Sequence, residues 1–436
     1  MSRGRLVRVA VSSAAVVVGG AGQALALPLL LAALGNSAGS YVTFVMLCLA
    51  FVLIFALATL GQYLAGGLRG SDLAVNDGAF ALIGLCDCLN GLLTVFCSAL
   101  DRTPGPLQAI LPQLAIPFTV LLSYSLYKVA LSRQQGIGAG LVVLGVVLTM
   151  VPSFVALSQG GKGASNPLYA GLFALGVVPG VLTNVLQTGI YRRHPGFNKM
   201  LFLLYRSSYQ AVFALVLFWT DLLPVLGTSL SLGDMGEHIN YGVTCLMRPP
   251  ASEPRCGDAW WLGVLFTAAY CSTYWAGAVV IEAASANYVA LLSTANTPLA
   301  AIVWFAAPAL TVWAGGTPSD GSQLAWGLAA LFLLIVPGSL VYKLAEAKKQ
   351  APLESALALA TPGGMAGPGT RAGRGGASAA APLLGPGSDA FSLTADLGGS
   401  ADARVLRLLA LQRAIEQELG SAASTGDDAR LMVYVR

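Results

Sequence analysis

Asp87 sits mid-run in LIGLCDCLNGLLTVF, and Arg206 sits in the run LFLLYRSSYQ. An ionisable group inside a long apolar segment is costly, and such groups face a cavity or pair with one another. As a cavity-lining carboxylate, Asp87 could bind a cation or carry a proton. As half of an interhelical ion pair, it would have Arg206 as its candidate partner. Asn90 lies three residues after Asp87, and Gln210 four after Arg206, so each shares a helix face with its charged neighbour. Arg206 could serve an anionic substrate or only balance Asp87. The cavity reading predicts that Asp87→Asn lowers solute movement while leaving folding largely intact. Gln23, Asn184, Gln187, Ser272, Thr273 and Tyr274 are further polar residues within apolar runs.

A second set of polar residues comes in two copies. Thr103–Pro117, TPGPLQAILPQLAIP, recurs in weaker form at Ala284–Pro298, ASANYVALLSTANTP. Asp101, Ala109 and Pro117 answer Glu282, Ala290 and Pro298 at one constant offset, which also sets Gln113 opposite Thr294. Gln108 and Gln113 in the first copy lie near Pro106, Pro112 and Pro117. Asn287, Ser293, Thr294, Asn296 and Thr297 precede Pro298 in the second. A proline in a helix frees a backbone carbonyl, and that group needs a protein partner or a water-lined cavity at membrane depth. The bland reading is ordinary interhelical hydrogen bonding. Polar faces at equivalent positions of a repeat favour a shared cavity.

The elements that carry these residues follow from composition. The chain has 436 residues, 56% hydrophobic and 10% charged, whereas soluble domains have about 25% charged residues. This is an all-α, polytopic membrane protein. Apolar runs of roughly 20 residues, the length a bilayer core demands, occur at 9–34, 41–66, 78–100, 104–127, 135–156, 168–190, 199–226, 259–280, 284–310 and 322–344. The repeat divides these ten spans into two five-helix halves, 1–157 and 158–345. No cleavable signal peptide is expected, because the first run continues into a regular series of spans.

With ten spans, both termini share a side. Arg3, Arg5, Arg8, Arg69, Lys128, Arg133, Arg192, Arg193, Lys199, Lys343, Lys348 and Lys349 fall on it, against Arg102, Lys162, Arg248 and Arg255 opposite. The bias toward positive charge on the cytosolic side puts both termini in the cytosol. The longest loop, 227–258, then faces a lumen or exterior, where an oxidising environment would join its Cys245 and Cys256. Asp234, Glu237 and His238 in that loop read as a solvated face rather than as metal ligands. Cys86-x-Cys88 has no partner cluster at metal-ligand spacing and reads as packing. After Lys349 the chain turns rich in Ala, Gly, Ser and Pro, a tail without the means to form a core. Within that tail, 346–436, residues 402–419 have helical spacing of apolar positions and read as a short amphipathic helix, a marginal one on a solvated tail in preference to one that binds a partner or a membrane surface.

No catalytic constellation, cofactor motif or nucleic-acid-binding pattern is present in the sequence. His194 and His238 are far apart, and there is no phosphate loop of the G-x-x-x-x-G-K-[ST] type, which argues against an ATP-driven pump. The expected partners are a small-molecule solute and membrane lipid, and the chain reads as a monomer.

The Asp87 run, GPLQAILPQLAIPFTVLL, LGVVPGVLTNVLQTGIYRRHPGFNKMLFLLYRSSYQ and NYVALLSTANTPLAAIVWF together resemble the chloroquine-resistance transporter family of the drug/metabolite transporter superfamily. The resemblance covers roughly 9–344 and includes the cysteine-bearing loop. It implies ten helices in two inverted repeats, a central cavity, alternating access and gradient-driven movement of small solutes across an organellar membrane. Vacuolar members resemble exporters of peptides, amino acids and cationic drugs, and plastid members resemble carriers of glutathione-like thiols. By motif position, Asp87, Gln108, Gln113 and Asn184 match polar cavity positions of the family. The parasite branch carries a lysine near Gln23, acidic residues near Thr188 and Ser272–Thr273, and four loop cysteines. This chain lacks those three charges and has two loop cysteines, which points to neutral, zwitterionic or anionic solutes. The alternatives are a nucleotide-sugar or sugar-phosphate exchanger, disfavoured because spans eight and nine lack a phosphate-clamping cation, and a non-transporting scaffold, disfavoured by the repeat.

Overall fold

Long apolar stretches with no water to satisfy their backbone must close their own hydrogen bonds, and helices do so within one segment. In the computed structural model, every regular element among the described residues is accordingly helical. The described residues run from 3 to 345, leaving out 74, 76–77, 128–131, 159–166, 195, 251, 254, 284–285 and 316–320. They belong to one compact unit apart from Tyr127. The expected tail helix, 402–419, lies outside the described residues.

The first half comprises α1 (Arg3–Ala33), α2 (Ser40–Leu64), α3 (Ala79–Cys97), α4 (Gly105–Ile110), α5 (Ala115–Tyr127) and α6 (Arg133–Ser158). The second comprises α7 (Pro167–Arg193), α8 (Lys199–Val216), α9 (Leu232–Met247), α10 (Ala259–Ala283), α11 (Ala286–Ala306), α12 (Pro308–Trp313) and α13. The last, α13, starts at Gly321–Ala330 and passes through a π turn at Leu331–Ile335. Among the described residues, eight helices are long and apolar enough to cross a membrane. The other two expected spans correspond to α8, which bears Lys199, Arg206 and Gln210, and α11, which bears Asn287, Asn296 and Thr297.

Two expectations need correction. The expected span 199–226 is helical only to Val216, and Phe218–Leu222 forms a 3-10 turn with Thr220 and Asp221 buried. The region 227–258, read as a long polar loop, contains α9. Ser231 caps that helix by accepting from the Asp234 N–H at 3.2 Å, and Asp234 accepts in return from the Leu230 N–H at 3.1 Å. This arrangement is a variant of the capping box, with the return bond made to the residue before the N-cap rather than to the N-cap itself.

The prolines act as their positions demand. The fourth expected span breaks into α4, a 3-10 turn at Leu111–Leu114 carrying Pro112, and α5. Pro298 is accommodated inside α11, whereas α11 ends two residues before Pro308 opens α12. The closest packing runs between the halves: α1 lies against α10 and α11, α2 against α8, α3 against α7 and α8, and α4 against α11. Buried side chains of the largest core include Leu31, Phe44, Phe51, Phe96 and Phe202.

Small residues let these backbones approach. A Cβ at Gly84 would collide with the Tyr209 side chain and lie 3.0 Å from the Gln210 backbone nitrogen, so α3 meets α8 with nothing between them. Gly84→Ala is expected to push the two helices apart at a cost of about 1–3 kcal/mol. A lowered midpoint in thermal unfolding of the purified protein would show it. An unchanged midpoint would mean that the contact yields freely.

Candidate functional site

Asp87 enters the site because α3 presents it toward α8 one turn after the Gly84 contact. Both Asp87 and Arg206 are 4% exposed. Arg206 grips the carboxylate with two donors: Nε donates to Oδ2, and Nη2 donates to Oδ1 at 2.7 Å. Such a bidentate fork fixes both side chains and is stronger than a neutral hydrogen bond. The remaining guanidinium donors reach Gln187 Oε1 at 3.4 Å, through Nη1, and the Tyr274 hydroxyl at 3.2 Å, through Nη2. Gln210 Nε2 donates to the Asp87 backbone carbonyl at 3.5 Å. Four helices, α3, α7, α8 and α10, therefore converge on one ion pair.

An aromatic column backs the pair. Phe51 stacks on Tyr270 with centroids 3.9 Å apart, and Tyr270 stacks on Tyr274 at 4.2 Å. The Arg206 guanidinium carbon lies 4.5 Å from the Tyr274 ring centroid. A cation over an aromatic face is favourable when desolvated, so Tyr274 both stacks under the guanidinium and accepts from it.

The other expected site residues divide among separate contacts. Asn90 Nδ2 donates to the Gly176 carbonyl on α7 at 2.7 Å, so it ties α3 to α7 while Asp87 ties α3 to α8. Gln108 Nε2 donates to the Ser98 and Thr103 carbonyls at 2.8 and 2.6 Å, which closes the corner between α3 and α4. Gln113, in the 3-10 break, donates to Thr297 Oγ1 on α11 and accepts from Ser339 Oγ at 3.5 Å. Gln23 Nε2 donates to Thr273 Oγ1 at 2.9 Å, joining α1 to α10. Asn296 packs against Gly20 of α1, with its Oδ1 buried and lacking a hydrogen-bond partner. Thr294 is half-buried on α11, and Asn184 is exposed on α7. Gln187, three residues after Asn184, is the α7 amide that reaches Arg206.

The two echoing segments therefore touch. Gln113 of the first copy meets Thr297 of the second, and Gly105 of the first lies against the ring of Trp304, six residues beyond the second. Equivalence under the repeat pairs Gln113 with Thr294, but contact falls one turn further along α11.

Beyond the C-terminal end of α8, sequence reasoning missed a cluster of polar groups in which Asp221, Ser229 and Arg102 are buried. Ser229 Oγ donates to Asp221 Oδ2 at 2.5 Å and lies 3.1 Å from His238 Nδ1. Arg102 donates to the carbonyls of Phe96, Leu226 and Gly227 at 2.7, 2.6 and 3.3 Å. The Ser231-x-x-Asp234 spacing was the available signal that His238 belongs to a helix rather than a loop. Cys245, on the same helix, forms a disulfide with Cys256, with Cα atoms 4.9 Å apart. Cys48, Cys86, Cys88 and Cys97 are buried and free.

The pattern of one family, described as CRT-like, chloroquine-resistance transporter-like, matches residues 11–342. The protein named Crt homolog 1 of Dictyostelium discoideum is 33% identical over 139 residues, 32% of this chain and 28% of that protein. Crt homolog 3 of the same organism is 38% identical over 109 residues, 25% of this chain and 22% of that protein. The chloroquine resistance transporter of Toxoplasma gondii is 25% identical over 215 residues, 48% of this chain and 23% of that protein. The chain thus matches about a quarter of the length of these curated relatives.

Proposed function

We propose that this chain, which belongs to the chloroquine-resistance transporter-like family and is by that membership a membrane transporter, is a secondary carrier of small zwitterionic solutes. The solute classes that fit are amino acids, short peptides and glutathione-like thiols. The observation that carries this reading is the buried Asp87–Arg206 pair with its ring of Gln187, Gln210 and Tyr274. A solute bearing an ammonium and a carboxylate can exchange partners with that pair, ammonium to Asp87 and carboxylate to Arg206. The exchange leaves no charge uncompensated, which is the condition for burying charge in a low-dielectric interior. A singly charged solute would strand one member of the pair.

The architecture we propose is ten spans in two inverted five-helix repeats, 1–157 and 158–345, that rock about this centre in alternating access. The cationic bias of the loops supports cytosolic termini, and an organellar membrane, vacuolar in preference to a plastid envelope, suits the disulfide-bearing loop on the far side. An electrochemical gradient is the driving force that fits a chain without a phosphate loop.

Proteoliposomes containing the full chain test this directly. Amino acids, glutathione and short peptides would be supplied with and without a pH gradient, each beside analogues lacking either the ammonium or the carboxylate. Saturable flux of the zwitterions at least tenfold above that of their singly charged analogues is expected, since one good charged contact is worth about 1.5–3 kcal/mol. Equal flux of the analogues would remove the pair from recognition. No flux above protein-free vesicles for the whole panel would end the carrier reading.

A further inference from the structure

A guanidinium has two edges that can hold a carboxylate, one through Nε and Nη2 and the other through Nη1 and Nη2. In Arg206 the first edge is taken, because Nε and Nη2 hold the two oxygens of Asp87. The second edge meets neutral acceptors. Gln187 Oε1 lies 3.4 Å from Nη1, and the Tyr274 hydroxyl lies 3.2 Å from Nη2. Both contacts are longer than the roughly 2.7–2.9 Å of a charge-assisted bond to a carboxylate. The edge is therefore held but not matched, and a second carboxylate would improve on both contacts.

Burial decides which neighbour gives way. Gln187 is 9% exposed, and Asp87 and Arg206 are each 4% exposed. Tyr274 is half-buried, so it is the least buried of the groups that contact the guanidinium. Its ring is held on both sides. Tyr270 stacks on it with centroids 4.2 Å apart, and the guanidinium carbon lies 4.5 Å from its centroid. Phe51 backs Tyr270 in turn. The hydroxyl, by contrast, can change role while the ring keeps its place. A phenol accepts through its oxygen and donates through its proton. Tyr274 accepts from Nη2 in this structure, and it can donate to an anionic oxygen that takes over at Nη2.

Charge sets the rest of the solute. Asp87 and Arg206 cancel, so a second carboxylate alone would leave one buried negative charge uncompensated, which is strongly unfavourable. A zwitterion brings its own ammonium and keeps the site neutral.

Resting on the carrier reading above, we propose that the solute carboxylate docks on the Nη1–Nη2 edge of Arg206 before Asp87 lets go, and that Tyr274 is the residue that selects for it. Tyr274 yields the Nη2 proton and donates its own to the carboxylate. Arg206 then passes from Asp87 to the solute without ever standing free of a carboxylate, and in the empty carrier Tyr274 keeps the solute's place.

Tyr274→Phe keeps the stacked ring and removes the hydroxyl. Uptake of labelled leucine, glutathione and glycylleucine would be measured in proteoliposomes containing the full chain, with the C-terminal carboxamide of each added unlabelled as a competitor. In the wild type, KM for each transported solute is expected well below the Ki of its carboxamide. In Tyr274→Phe that KM should rise about tenfold or more, the worth of one hydrogen bond to a charged group, while the Ki of the carboxamide changes by about threefold or less. The maximal rate should stay within roughly twofold, as for a contact made equally in the bound state and during transport. A merely structural role would move both constants together or lower the rate. KM and Ki rising by the same factor, neither changing, or a wild-type Ki equal to KM would overturn the docking of the carboxylate on Tyr274 and leave the carrier reading standing. Wild-type protein that moves none of the three solutes would end the carrier reading, and this proposal with it. Should Tyr274→Phe fail to fold, Tyr274→Leu is the second variant. The ratio of Ki to KM does not depend on the amount of folded protein, and a ratio equal to that of the wild type would again overturn the proposal.

Discussion

Arg206→Met is expected to destabilise the protein by about 3–5 kcal/mol, the loss measured when one partner of a buried ion pair is removed. The carboxylate of Asp87 is 4% exposed and would lose both charged donors at once. Gln210 reaches only its backbone carbonyl, so no neighbour replaces the guanidinium. Asp87→Asn has a similar but smaller effect. The amide oxygen can still accept from Arg206, but one charge-assisted bond becomes a clash of N–H groups, and the guanidinium keeps its charge. The bidentate geometry thus changes the expectation drawn from sequence, that Asp87→Asn would spare folding. The paired variant Asp87→Asn/Arg206→Gln removes both charges and should lie nearer the wild type than the sum of the single changes, because residues in contact couple by 0.5–3 kcal/mol, roughly. Unfolding midpoints of the four proteins in one detergent close the cycle. Additive losses would show that the pair is not a unit.

How much of this was legible in the sequence depends on whether the cause was local. Apolar run length fixes where chains cross a membrane, and most helices lie where hydropathy puts them. The run 199–226 misled because FWTDLL reads as apolar while Thr220 and Asp221 turn inward through a 3-10 turn whose partner, Ser229, is supplied from beyond the run. The α9 helix misled in the opposite way. Ser231 and Asp234 at capping-box spacing, followed by Met235, Ile239 and Gly242 on one face, were present, but polar composition outweighed them. For the centre itself, two ionisable residues in apolar runs limited the options to a cavity or a pair. Which partners meet depends on helix azimuth, which no single-sequence pattern carries. Gln187 rather than Asn184 reaches Arg206, and Thr297 rather than Thr294 reaches Gln113. Each is a rotation of about one turn or less, small on the scale of sequence and decisive for contact.

Reduction of the Cys245–Cys256 disulfide is expected to loosen α9 selectively. The bridge closes a loop with a sequence separation of 11. Loop-entropy reasoning assigns such a closure about 2–3 kcal/mol. The bridge ties the C-terminal end of α9, whose remaining anchors are its Ser231 cap, the Ser229–His238 approach, Gly242 set against Val42 of α2, and Met235, Ile239 and Leu246 packed on the core. The membrane helices bury far more surface and should be unaffected. Amide exchange over 232–247 should therefore quicken roughly 30- to 150-fold in Cys245→Ser/Cys256→Ser, the factor equivalent to that free energy, while exchange in α2 and α3 stays as in the wild type. Unchanged exchange in α9 would mean that its packing alone suffices. The same bond reports orientation. In sealed organelles with the cytosolic face outward, a membrane-impermeant reductant should leave the disulfide intact until detergent opens the bilayer. Ready reduction without detergent would place the loop on the cytosolic side and reverse the proposed topology.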